Sequence, residues 1–146
     1  LPLVRMIIDE ALRLYPAAGI ISRTAQKHDR LCDREIRPGD TVMIPIYALG
    51  RNELLWDDPD AFRPERFADR KAIDRYAYLP FGDGPRICIG AQYAETEIMV
   101  LLASALRRAS FELTDHPVAP PNLTFTMRPD GPLMLRAVPI DQAAVE

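Results

Sequence analysis

Apolar residues at Leu3, Val4, Ile7, Ile8, Ala11 and Leu14 recur at the three- and four-residue steps of one helix face, and Pro16 ends the run. The spacing predicts a first helix with Glu10 and Arg13 one turn apart near its C-terminal end. Residues 20–25 and 41–46 are short β-branched runs separated by polar residues and the turn Pro38-Gly39-Asp40, which predicts antiparallel pairing in a small sheet. Residues 51–80 carry Pro59, Pro64, Pro80 and many charges without a sustained period. They read as a meandering loop anchored by Trp56, Phe62, Arg66 and Phe67. A second helix follows over 91–106, striped by Ala94, Ile98, Leu101, Leu102 and Ala105. Residues 123–128 and 133–138 flank Pro129-Asp130-Gly131-Pro132 and predict a closing β hairpin. The fold class is mainly α with small β sheets, an α+β arrangement without internal repeats.

With 146 residues, 48% of them hydrophobic and 27% charged, the chain can bury one globular core. A net charge of −3 supplies no basic field for nucleic acid, so no nucleic-acid partner is expected. Cys32 and Cys88 are the only cysteines, too few for a disulfide scaffold. No apolar run approaches the roughly 20 residues that cross a bilayer, and no basic-then-apolar leader is visible. The expectation is a cytoplasmic location, with any anchor lying on sequence outside these residues. The helical pattern is already running by Leu3, without an initiating methionine, as in a piece cut from a longer protein.

The chemistry concentrates in Phe81-Gly82-Asp83-Gly84-Pro85-Arg86-Ile87-Cys88-Ile89-Gly90. A cysteine ligating iron beneath a flat macrocycle needs backbone that approaches the ring closely, and Gly82, Gly84 and Gly90 would give that clearance. The helix starting near Ala91 would turn its free N–H groups and positive dipole end toward Cys88, stabilising an anionic sulfur. Arg86, preceded by the rigid Pro85, suits a bidentate bond to a haem propionate. Other readings of these residues are a small buried apolar cysteine, or a nucleophile with His28 or His116 as base, although neither histidine is near in sequence. A phosphate cradle would need GxGxxG spacing or a Gly-Lys-Ser/Thr, and neither is present.

Phe81, Gly84, Arg86, Cys88 and Gly90 together meet the pattern Phe-x-x-Gly-x-Arg-x-Cys-x-Gly. Upstream, in order, stand Glu10-x-x-Arg13 and Pro64-Glu65-Arg66-Phe67. In these three elements the chain resembles the haem-thiolate monooxygenases, the cytochromes P450, over nearly all of its length. The resemblance implies the C-terminal third of that fold, from the Glu-x-x-Arg helix to the terminal hairpin. Residues 1–146 would then form a C-terminal fragment of one P450 domain, its N-terminal part absent. It implies haem b, with Cys88 as the iron ligand, Arg86 on a propionate, and Phe81, Gly82 and Gly90 around the ligand loop. Arg23 is either a second propionate-binding residue or an ordinary exposed strand arginine. Glu10, Arg13 and Arg66 are implied as a buried structural triad, and Ile20, Ile21 and Met127 as substrate-pocket candidates.

The family's oxygen-activating acid and alcohol side chains sit on a central helix without a counterpart here, so no catalytic residue is assigned. The implied reaction inserts one oxygen atom of O2 into an apolar small molecule. Its electrons come from a donor such as a ferredoxin, flavodoxin or reductase, docking near Arg66, Arg70, Lys71 and Arg75. The alternative is a non-oxygenating haem-thiolate sensor or electron-transfer protein. Departures from the family pattern are Gly50, where many members carry His or Asn, and Tyr93, where Phe is common. Without the remaining helices, apolar positions on the 91–106 helix are expected to be exposed. The isolated chain is expected to bind haem poorly and to aggregate.

Overall fold

The computed structural model describes residues 1–124 and 126–140. Helix α1 (Pro2–Leu14) has its proline in the first turn, where the missing N–H costs nothing, and stops before Pro16 as its spacing predicts. Strands β1 (Ile21–Thr24) and β4 (Thr41–Ile44) pair antiparallel, Ile21 opposite Ile44, in agreement with the sequence pattern. Between them lies an additional hairpin of β2 (Asp29–Leu31) and β3 (Arg34–Ile36). Its two-residue tip, Cys32-Asp33, takes positive φ at both positions, 45° and 65°. A Cys-Asp pair lacks the glycine that marks such tips in a sequence. A single turn of helix, α2 (Ile46–Leu49), follows β4 and ends at Gly50.

Residues 51–80 form the expected meander, broken only by a 3-10 turn at Pro64–Phe67. Of its expected anchors, Trp56 and Phe67 are buried and stack at 5.9 Å, while Tyr78 meets Phe67 edge-on at 4.8 Å. Phe62 corrects the expectation. It is 52% exposed, because the segment from Pro59 to Arg63 is held by main-chain bonds to α1 and needs no apolar plug. A second 3-10 turn, Gly84–Arg86, precedes α3 (Ala91–Leu106), and β5 (Ala109–Leu113) leaves α3 directly.

The closing hairpin is also corrected: 123–128 and 133–138 do not pair with each other. Strand β7 (Met127–Pro129) folds back on β6 (Pro121–Leu123), while β8 (Leu135–Pro139) runs antiparallel to β5, with Phe111 opposite Ala137. An Asn122 amide bond to Asp130 at 3.0 Å fastens the β6–β7 pair, and β5 offers β8 a full five-residue ladder.

Two cores result. Trp56, Phe67 and Ala77, with Met6, Ile73 and Tyr78 packed around them, join α1 to the meander. The other consists of charges, since Asp9, Glu10 and Arg13 on α1 are fully or almost fully buried. Helix α3 has no buried residue, and Tyr93, Val100 and Leu101 are 73%, 59% and 63% exposed, so its apolar positions are open as expected. Gly50 has a steric cause. A Cβ there would lie 2.3 Å from the Arg13 carbonyl oxygen, and both atoms are fixed by main-chain geometry. Gly50→Ala is expected to cost about 1–3 kcal/mol as overpacking, read as a lower denaturation midpoint. An unchanged midpoint would refute the clash.

Candidate functional site

The loop ahead of α3 is closed main chain to main chain. The Cys88 N–H donates to the Phe81 carbonyl at 2.9 Å, Ile87 N–H to Gly84 at 3.1 Å, and Gly82 N–H to Leu79 at 3.0 Å. Gly82 and Gly84 have φ of 75° and 74°, so there the backbone itself requires glycine. Gly90 differs. Its φ of −86° suits any residue, but a Cβ would stand 3.9 Å from the Cys88 sulfur. Gly82 and Gly84 shape the turn, while Gly90 leaves the space beside the sulfur free of a side chain.

Cys88 is exposed, flanked by Ile87 and Ile89 at 53% and 103% exposure, and two residues later Gly90 caps the N-terminus of α3. An open thiol at a helix start, an uncluttered flank and two outward apolar side chains suit a flat, largely apolar ring carrying a metal ion. These residues fit a haem. Phe81 is half-buried at the base of the loop. Arg86 is exposed at the end of the 3-10 turn, and Arg23, exposed on β1, donates to the Ser22 carbonyl at 2.8 Å. Asp83 is held by Arg75 at 2.8 Å. That bond, with one from the Gly84 N–H, keeps its carboxyl below the usual carboxylate range.

On α1, Glu10 and Arg13 form a bidentate pair, Arg13 Nε to Oε2 at 2.7 Å and Nη2 to Oε1 at 2.8 Å. The remaining Arg13 donors go to the carbonyls of Gly50, Pro59 (2.6 Å) and Ala61 (3.1 Å). Arg66 Nε reaches Glu10 Oε1 at 3.3 Å, and its other nitrogens donate to the carbonyls of Asp57 and Asp58, the latter at 2.6 Å. A fourth donor was illegible in the sequence: the Arg63 main-chain N–H gives Glu10 a bond of 2.7 Å. Burial alone would push the Glu10 carboxyl up. The bonds from Arg13 and Arg63 and the charges of Arg13 and Arg66 outweigh it, and the carboxyl titrates below its ordinary range.

The pocket candidates separate. Met127 lines an apolar cleft of about 530 Å3 with Tyr15, Val118, Pro121 and Leu133, and its N–H donates to Ala17 at 2.8 Å. Ile20 and Ile21 do not line that cleft. Ile20 is 48% exposed, and Ile21 approaches Gly82, its Cδ1 lying 3.3 Å from where a Cβ would be. The basic cluster is largely engaged: Arg66 in the triad, Arg70 at 3.7 Å from the buried Asp9, Arg75 on Asp83.

A family model described as Cytochrome P450 matches residues 1–136. The chain is 38% identical over 140 residues to cytochrome P450 3A11 of Mus musculus, an alignment that covers 93% of this chain and 28% of that protein. It is 37% identical over 140 residues to cytochrome P450 3A12 of Canis lupus familiaris, with the same coverage. Against cytochrome P450 3A1 of Rattus norvegicus it is 38% identical over 141 residues, covering 94% of this chain and 28% of the relative. The chain thus spans about 28% of the length of the curated relatives it matches. With the three motifs standing in order along the chain and the family match running from residue 1 to residue 136, this chain belongs to the cytochrome P450 family.

Proposed function

We propose that this chain is the haem-ligand part of a haem-thiolate monooxygenase acting on an apolar small molecule. The observation that carries this is the exposed Cys88 at the start of α3, on a loop closed by its own bond to Phe81 and left open at Gly90. The family's cofactor is haem b. When bound, it supplies dioxygen binding and O–O cleavage favoured by electron donation from a cysteine thiolate. Cys88 ligates the iron, Arg86 and Arg23 take propionates, and Phe81 keeps water from the sulfur. Glu10, Arg13 and Arg66 fix the meander beneath the loop, and Met127 with its cleft forms part of the substrate wall. An electron donor approaches on the cysteine side. There Lys71 is the cluster member without an ion pair among the described residues, whereas reversing Arg70 would set a carboxylate beside Asp9.

Among the described residues no helix is long and apolar enough to cross a membrane. The test is the ferrous carbonyl spectrum of the full-length protein. A red-shifted Soret band supports thiolate ligation, and an unshifted band rejects it. A sensor or electron carrier would give the same band without oxygenating any apolar substrate.

A further inference from the structure

A second buried charge cluster lies beside the triad. The Asp9 side chain is fully buried and accepts from Arg5 Nε at 3.2 Å and from the Tyr78 hydroxyl at 3.1 Å, with Arg70 Nε at 3.7 Å. Arg5 is shared: its Nη2 reaches Glu95 Oε1 on α3 at 2.8 Å. One continuous chain of polar contacts therefore runs from the meander (Arg70, Tyr78) through α1 (Asp9, Arg5) to the second turn of α3 (Glu95). Glu95 stands seven residues beyond Cys88 and makes the only ion pair of α3 among the described residues.

The apolar contact between the same two helices is loose. Ile7, Ile8, Ala11 and Leu12 face Ile98 and Leu102 across an open cleft of about 190 Å3. Loosely packed apolar side chains tolerate sliding, whereas a charge-assisted bond to a buried anchor has one preferred geometry. Arg5 is well suited to that task. Asp9 holds its Nε edge, and the partial burial of arginine and partner reduces competition from water, with side-chain exposures of 29% for Arg5 and 19% for Glu95.

We infer that Glu95, held by Arg5 on the buried Asp9, is a positioning residue that fixes the start of α3 and through it the height of the Cys88 sulfur. This rests on the haem-thiolate reading of Cys88. The tie acts on sulfur placement and not chiefly on global stability, because Glu95 lies at the edge of the cluster while Asp9, Tyr78 and Arg70 remain paired when it is removed.

The test compares Glu95→Ala and Glu95→Gln with wild type in the full-length, haem-loaded protein under mild denaturant. The red-shifted and unshifted forms of the ferrous carbonyl band are followed alongside far-UV circular dichroism. The expected result is that Glu95→Ala raises the ratio of unshifted to red-shifted band about threefold, the yield of a partly exposed ion pair, at denaturant concentrations where the dichroism is still native. Glu95→Gln, which keeps an acceptor for Arg5, should fall between and serves alone if the alanine variant does not fold. Coincident transitions, or an unchanged ratio, would overturn the inference. A wild type that never shows the red-shifted band would overturn the haem-thiolate reading, and this inference with it.

Discussion

Replacing Glu10 by alanine lowers the unfolding free energy of the full-length protein by about 3–5 kcal/mol, the cost of breaking a buried ion pair from one side. The side chain is fully buried and receives four donors, two from Arg13 and one each from Arg63 and Arg66. Its loss strands the Arg13 guanidinium, which is equally enclosed, with carbonyl dipoles and the Trp56 ring face but no counter-charge. Glu10→Gln, with the same shape and no charge, should lose less. The pH dependence separates charge from shape. The folded carboxyl titrates below its unfolded value, so its contribution is complete above the ordinary carboxylate range, around pH 4.3, and disappears as pH falls through the folded value. The gap between wild type and Glu10→Gln therefore narrows on acidification. Denaturant midpoints measured from neutral to acid pH check this, and a gap of constant size would show that the charge is not the cause.

Cys88→Ser abolishes the red-shifted carbonyl band in the full-length protein and takes monooxygenase turnover to background. The serine hydroxyl is nearly isosteric and keeps the main-chain bond from residue 88 to Phe81, so the loop and α3 stay folded. On the function proposed above, what is lost is a soft, charge-donating sulfur at the iron. Carbonyl spectra and turnover, with circular dichroism as the folding control, read this out. Retention of both band and turnover would remove Cys88 from the mechanism.

Much of this was legible in the sequence where a residue type has one physical use. The apolar period marked α1 and α3, Pro16 marked the end of α1, and the β-branched runs of β1 and β4 paired as their spacing predicts. What stayed hidden was non-local or lay in the main chain. The β5–β8 ladder joins strands separated by more than twenty residues, and the nearby Pro129-Asp130-Gly131-Pro132 turn pointed instead to a local hairpin. The Arg63 N–H on Glu10 carries no sequence signal, since every residue but proline has one. Asp9 carries no distinguishing signal in the sequence, and only the fold brings Arg5, Arg70 and Tyr78 to it. The glycines were found but their duties were not divided, because a positive φ and an empty flank leave the same letter.

Since the bond from residue 88 to residue 81 uses no side-chain atoms, the outline of the ligand loop is independent of what stands at positions 87 and 89. Both of those side chains point outward. Evolution, or an engineer, can redecorate the two isoleucines and so change the polarity met by whatever rests above, without re-solving how the polypeptide bends there.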